Sequence, residues 1–370
     1  MGQSPPSNAY NADARGLPFY QGNADFGTRH PKTRIWCDAP TKIAHAGDIL
    51  LSVRAPIGAL NIATETCCIG RGLAGLTANP EKIDTLYLYY VLQSKTHILS
   101  ALGTGSTFKA VSKAIVSEFP IPIYPLETQK LIASVLDTIE RAIDNIHQQL
   151  NHLDELVKSQ FVELFGDPVT NPMGWERARL ADKCEIVTGN TPSRKVKEYY
   201  GKDLEWIKSD NITEATTLTE ATEYLSDEGA KVGRTVETGS ILMTCIAGSL
   251  RSIGNVAIVD RKVAFNQQIN AIVPKKQNTY FMYEQFRLSK DYICSGINMA
   301  LKGILSKGQL SEIEFVFPPL ALQNEFAAFA QQADKSEFIT QILAIFLKKY
   351  HNKTIEALGE SADARKGARI

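Results

Sequence analysis

The sequence predicts an α+β protein: two similar domains in a pseudo-twofold arrangement, separated by two long helices that form an antiparallel coiled coil. Three observations lead there. The phrase "FPIPIYPLETQ" (residues 119–129) returns as "FVFPPLALQ" (residues 315–323), so that Pro125 and Pro319, Leu126 and Leu320, and Gln129 and Gln323 all stand 194 positions apart. A spacing that long marks a duplicated domain and not a solenoid repeat of a few dozen residues. Each copy of the phrase opens a long apolar pattern of helical period, and short β-branched segments bounded by glycine precede each copy.

The elements follow in the same order in both copies. "GQSPPSNAYNADARGLPFYQGN" is answered by "GNTPSRKVKEYYGKDLEWIKSDN", with Gly2 and Gly189, Leu17 and Leu204, Phe19 and Trp206, and Asn23 and Asp210 at one offset. Strand patterns introduced by a turn glycine come next, "GDILLSV" from Gly47 and "GSILMTC" from Gly239. "IGALNIA" from Ile57 and "IGNVAIV" from Ile253 add a further strand each. "LYLYYVLQS" and "YFMYEQFRLS" read as short helices, and a glycine-bearing polar loop follows each. Ser112-Lys113 and Ser306-Lys307 restore the register before the repeated phrase.

The first long helix starts at Leu126, with Glu127 placed for the positive end of the macrodipole. Ile132, Leu136, Ile139, Ile143, Ile146, Leu150, Leu153 and Val157 recur in alternating steps of four and three, a heptad seam that calls for a second helix. Phe161 and Leu164 shift the seam, and Phe165-Gly166-Asp167-Pro168 breaks the helix. In the second copy Leu322, Phe326, Phe329, Ala333, Ile339, Ile342, Leu343, Phe346, Leu347 and Tyr350 make a wider and less regular apolar face. Helices of about 30–40 residues run about 45–60 Å, too long for one small domain to cover, so each is expected to pack on the other. The expected seam is Leu136, Ile139, Ile143, Ile146, Leu150, Leu153 and Val157 against Phe326, Phe329, Leu343 and Leu347. The domains expected are 1–125, the first helix 126–166, 167–318, the second helix 319–358, and a polar tail 359–370 ("GESADARKGARI") without fixed structure.

At 370 residues the chain has room for two domains of ordinary size. Hydrophobic content of 44% and charged content of 22% are those of a globular protein in water, and no apolar run reaches the roughly 20 residues of a membrane span. The six cysteines show no C-x-x-C spacing, which suits reduced thiols in a cytoplasmic protein and no metal. Forty basic and forty acidic residues cancel. Such a chain cannot hold nucleic acid by bulk charge, which leaves local basic loops.

No phosphate-binding loop signature occurs, and Gly70-Arg71-Gly72 is not followed by the helix a dinucleotide site needs. Asn171-Pro172-Met173-Gly174 begins like the motif of adenine methyltransferases but lacks the second proline and the aromatic residue. Asp203, Glu205 and Lys208 have the spacing of an ordinary polar loop, and the six histidines form no ligand cluster. What remains is binding. Gln3, Ser4, Arg54, Arg71 and Lys109 in the first copy, and Lys208, Arg251, Gln267, Gln268 and Lys302 in the second, fall in glycine-rich or strand-end segments. Arginine and lysine reach guanine edges or phosphates and glutamine pairs with adenine, so these are the candidates for DNA contact.

Two domains that each open near Gly-x-x-Pro, carry a "GDIL"-type strand and close in Pro-Leu-x-x-Gln before a long helix resemble the specificity subunit of type I restriction-modification enzymes. The resemblance runs from Gly2 to about residue 358. It implies that each domain is a target-recognition domain reading one half of a split double-stranded DNA site. It also implies that the helices separate the halves and dock two modification subunits, with restriction subunits joining through the complex. By the same resemblance the chain is non-catalytic and binds no cofactor, S-adenosylmethionine, ATP and Mg2+ belonging to partner subunits. The alternatives are the recognition portion of a single-chain restriction-methyltransferase, or a coiled-coil scaffold with no DNA role. One departure stands out. The second copy begins upstream, at "WERARLADKCEIVTGNTP", whereas the corresponding dozen residues and first strand have no counterpart ahead of Gly2.

Overall fold

The computed structural model of the chain describes residues 1–105, 109–295, 297, 303–360 and 368–369. Two compact units emerge, one of residues 1–147 and 342–370, the other of residues 148–341. Their boundary falls within both long helices, Leu126–Phe165 and Leu320–Glu360, so each unit owns an end of both. In unit 1, Leu136 near the start of the first helix shares a core with Ile355 and Leu358 near the end of the second. In unit 2, Phe161 and Phe165 at the end of the first helix pack with Phe326 and Ala330 at the start of the second. Start meets end in each unit, which is the antiparallel sense.

Unit 1 has a three-stranded sheet in the order Leu60–Ile62, Ile49–Ser52, Leu73–Leu76, and a five-stranded one centred on Leu17–Tyr20. Unit 2 repeats both in part, the second as a four-stranded sheet. Ile241–Thr244 lies between Val256–Ile258 and Ile269–Pro274, and Cys184–Thr188 extends that sheet. The duplication holds to single residues. Phe19 pairs with Cys68 and Tyr20 with Ile69 in parallel, as Trp206 pairs with Ala264 and Ile207 with Phe265. Burial of apolar residues from these strands against the short helices Thr85–Ser94 and Thr279–Leu288 forms the cores. The "IGALNIA" and "IGNVAIV" segments are strand only from Leu60 and Val256, because Gly58 and Gly254 turn the chain with positive φ.

The glycine of each Gly-x-x-Pro opening lies hard against a strand. A β-carbon would come within 2.2 Å of the Gly70 carbonyl oxygen at Gly2, and within 2.1 Å of the Asn266 carbonyl oxygen at Gly189. Only glycine permits the hydrogen bonds that dock these segments, from Gly2 N–H to Leu73 (2.8 Å) and from Gly189 N–H to Ile269 (3.1 Å). The proline of each opening follows suit. The Tyr10 hydroxyl donates to the Pro5 carbonyl at 2.8 Å, and the Tyr200 hydroxyl to the Pro192 carbonyl at 2.7 Å.

The repeated Pro-Leu-x-x-Gln phrase is explained by its glutamine. Gln129 and Gln323 are buried, and their side-chain oxygens accept from the main-chain N–H of Asp84 (2.9 Å) and Asn278 (3.0 Å). Those two residues cap the short helices, Asp84 accepting from Tyr87 N–H and Asn278 from Tyr280 N–H. The same glutamines donate to the carbonyls of Tyr124 and Pro318, both at 2.7 Å. Each glutamine therefore ties the start of a long helix to the start of a short one.

The polar tail expected to lack structure has some. The second helix continues to Glu360, and Ala368–Arg369 pair antiparallel with Pro120–Ile121. In unit 2 the equivalent strand Glu314–Val316 pairs with Arg177–Arg179, which belongs to the upstream segment of the second copy. Pairing with the main-chain carbonyls and the Ile121 N–H of the Pro120–Ile121 edge gives the tail its reason to order. Residues 368–369 thus hold in unit 1 the place that Arg177–Arg179 hold in unit 2. Among the described residues no helix is long and apolar enough to cross a membrane.

Candidate nucleic-acid interface

In unit 1 the structure gathers Ser4, Arg54 and Arg71 around one groove of about 610 Å³, together with Gln21, Asn23 and Arg34. Arg71 follows the Cys67–Ile69 strand by two residues, and its N–H donates to the Ser4 hydroxyl at 3.4 Å. Arg54 follows the Ile49–Ser52 strand and bridges to Ala110, which brings the exposed Lys109 to the same edge. Gln3 is exposed beside Ser4, its own N–H held by the Ile69 carbonyl at 3.0 Å. Arg54 and Arg71 are exposed and make no ion pair among the described residues. Arg34, by contrast, is paired to the buried Asp25 at 2.5 Å. The groove therefore offers free guanidinium groups beside neutral hydrogen-bonding side chains, the chemistry that grips phosphate and reads base edges.

Unit 2 carries the same backbone with other side chains. Asn266 N–H donates to the Ile207 carbonyl as Gly70 N–H does to Tyr20, and Cys245 N–H donates to Gln268 as Val53 N–H does to Gly72. Gln267 thereby occupies the place of Arg71, and Thr191, in the place of Ser4, donates to its side-chain oxygen. Gln267 is exposed, whereas the Gln268 side-chain oxygen accepts from Asn266 at 3.1 Å. Lys208 is engaged: it and Arg194 share Glu223, Arg194 at 2.6 Å, and Arg194 lies over the rings of Tyr200 and Trp206. Those two cations hold the Glu223 carboxyl below its ordinary value, the Lys208 hydrogen bond contributing most. Arg251 stands apart, on the loop after Ile246–Ala247, where its carbonyl accepts from Lys290 at 2.6 Å. Lys302 lies outside the described residues.

The sequence reading passed over Arg34 and Arg194, each with a stacking or pairing partner that only the fold brings near. A signal existed for the first, in the basic run Arg29, Lys32, Arg34. The cysteines are free, and burial pushes the Cys67 and Cys184 thiols up to about 12, so they pack as small apolar groups.

The seam residues divide by place. Leu136, Ile146 and Phe326 are buried, Ile139, Ile143, Leu150, Leu153, Val157, Phe329 and Leu347 are half-buried, and Leu343 is 47% exposed. Around Leu343 the second helix shows Phe338, Ile339, Ile342, Ile345, Phe346 and Tyr350, all more than half exposed. The apolar residues there circle more of the helix than one neighbouring helix covers.

Two duplicated recognition scaffolds on long helices define a class of DNA-specificity proteins, and the comparisons agree. Residues 18–155 and 172–345 match the type I restriction modification DNA specificity domain, and the chain belongs to that family of non-catalytic specificity subunits. Over 358 residues it is 24% identical to the type I restriction enzyme MjaIX specificity subunit of Methanocaldococcus jannaschii, covering 90% of this chain and 81% of that one. A stretch of 158 residues is 42% identical to the putative MjaX specificity subunit of the same organism, which spans 43% of this chain and 37% of that protein. The fold is similar to the S subunit of a type I restriction-modification system from M. genitalium, with a TM-score of 0.66 at 14% identity over 96% of this chain and 92% of that one. It is also similar to a chain from a structure of type I R-M complex assembly, with a TM-score of 0.56 at 16% identity over 95% of this chain and 91% of that one.

Proposed function

We propose that the chain reads a bipartite double-stranded DNA site, each unit contacting one half, and that it docks modification and restriction subunits without catalysing a step itself. One observation carries the reading. Arg71 and Gln267 occupy the same place in two copies of one scaffold, and they suit different bases, arginine the O6 and N7 of guanine and glutamine the N6 and N7 of adenine. The scaffold is kept while the reading chemistry changes, as two different half-sites require. The exposed apolar stretch of the second helix suits the docking of the modification subunits, of which two are expected. S-adenosylmethionine, ATP and Mg2+ belong in this reading to the partners, and the complex acts in the cytoplasm.

The test is mapping of methylated adenines in cells carrying the chain with its partner subunits. Arg71→Ala relaxes one half of the methylated sequence and Gln267→Ala the other, each at a cost in binding of about 1–3 kcal/mol. Two unchanged methylation patterns would favour a scaffold with no DNA role.

A further inference from the structure

In unit 1, Arg29 turns inward from its loop. Its carbonyl accepts from Ile62 N–H at 2.8 Å, and its guanidinium donates to Asp137, to Glu140 at 2.5 Å and to the Tyr90 hydroxyl at 2.5 Å. The side chain is 20% exposed, and this set of acceptors offsets the loss of water around a buried cation.

Unit 2 has the same backbone position at Thr216, whose carbonyl accepts from Ile258 N–H at 2.8 Å. Ile62 and Ile258 are themselves equivalent, pairing with Ile49 and Ile241 on matching strands. At the 194-residue spacing that relates Gln129 to Gln323, Tyr90 corresponds to Glu284, Glu140 to Asp334 and Ile143 to Glu337. At the same spacing Asp137 corresponds to Gln331, so where unit 1 places an arginine against the two carboxyls of Asp137 and Glu140, unit 2 places a threonine beside the three of Glu284, Asp334 and Glu337. The Thr216 hydroxyl donates to Asp334 at 3.1 Å.

What is left is a cleft of about 540 Å³. Arg287 enters it and pairs with Asp154 (2.6 Å) and with one oxygen of Glu284 (2.9 Å). The other Glu284 oxygen has no hydrogen-bond partner, although the residue is only 2% exposed. Among the described residues no lysine or arginine forms an ion pair with Asp334 or Glu337. Burial raises the carboxyls of Glu284, Asp334 and Glu337, with Arg287 acting against that rise at each.

We propose that this cleft receives an arginine side chain from a partner polypeptide, the counterpart in trans of what Arg29 does in cis. The planar, five-donor fork of a guanidinium suits a cleft lined by several carboxyls better than a compact ammonium does. A polypeptide is indicated because Asp334, Thr216 and Tyr280 also border an adjoining hollow floored by Phe338 and Ile339, which are 64% and 67% exposed. Apolar residues flanking the arginine would cover them, whereas a free small cation would not. The inference deepens the docking part of the proposed function. It rests on that reading only for which partner supplies the arginine.

The experiment uses the full chain without DNA and the acetylated peptide amide Leu-Arg-Phe, with a copy carrying citrulline for arginine. Isothermal titration is expected to show binding at least tenfold tighter for the arginine peptide. Thr216→Arg fills the cleft in cis, so it should raise Tm and abolish that preference. Asp334→Asn with Glu337→Gln should abolish the preference while leaving Tm unchanged or higher, which excludes misfolding. Equal binding of the two peptides, or a preference that survives Thr216→Arg, would overturn the proposal. Neither outcome depends on whether the chain reads DNA.

Discussion

Gln323 satisfies a capping N–H and a carbonyl, so its replacement shows what the repeated phrase contributes. Gln323→Leu leaves the Asn278 N–H and the Pro318 carbonyl buried without partners, at about 1–3 kcal/mol each way of counting the lost desolvation. Hydrogen exchange at Asn278 and its neighbours is expected to speed up by one to two orders of magnitude, about the factor such a free-energy loss implies. Glu337 gives a pH prediction. Burial first, then Asp334 and Asp154, raise its carboxyl. A raised carboxyl binds more protons folded than unfolded, so its favourable contribution is full below the ordinary carboxylate value and is lost as pH climbs through the raised one. Glu337→Gln stays neutral at every pH and keeps a side-chain oxygen for Gln341. Its Tm should exceed that of the parent chain at pH 7, and the two should converge near pH 4. Glu205, held below its ordinary value chiefly by the Arg261 hydrogen bond, has the opposite sign and loses its contribution on acidification.

At the scale of elements, the first long helix ends in an aromatic cluster that fixes it in unit 2. The Phe161 ring stacks on Phe281 with centroids 5.5 Å apart and meets Phe165 and Phe326 edge-on. Phe161→Ala is expected to cost about 3–5 kcal/mol, read as a lowered midpoint in urea for probes within unit 2. The helix then stops at Gly166, with φ near +74° and the Pro172 ring where a β-carbon would lie. The long helices, several strand segments and the repeat were legible in the sequence because period and turn glycines are local signals. The Arg29 contacts were not, since Asp137 and Glu140 lie more than a hundred residues away and no periodicity links them. Nor was the ordering of the tail, whose composition is polar and whose partner strand is two residues long. Of the candidate site, the presence of Ser4, Arg54 and Arg71 was legible but their meeting in one groove was not. Lys208 looked free because Glu223 reaches it only through strand pairing.

For the whole molecule, the separate scaffolds predict separable specificities. Exchanging residues 175–315 for those of a relative should change one half of the methylated sequence and leave the other, as adenine mapping would read. A change in both halves would contradict the modular reading. Deleting residues 361–370 should loosen unit 1 and spare unit 2, visible as faster exchange at the Ile121 amide and its neighbours with unit 2 amides unchanged. The pairing of Ala368–Arg369 with Pro120–Ile121 has a further consequence. Each recognition scaffold takes its edge strand from the chain that follows a long helix, the second from residues 177–179 and the first from residues 368–369. The order of elements is therefore cyclic, like a necklace whose clasp sits between two beads. A gene recut at the Gly166–Asp167 turn, with the present first and last residues joined by a flexible linker, would encode the same set of strand pairs in a new linear order.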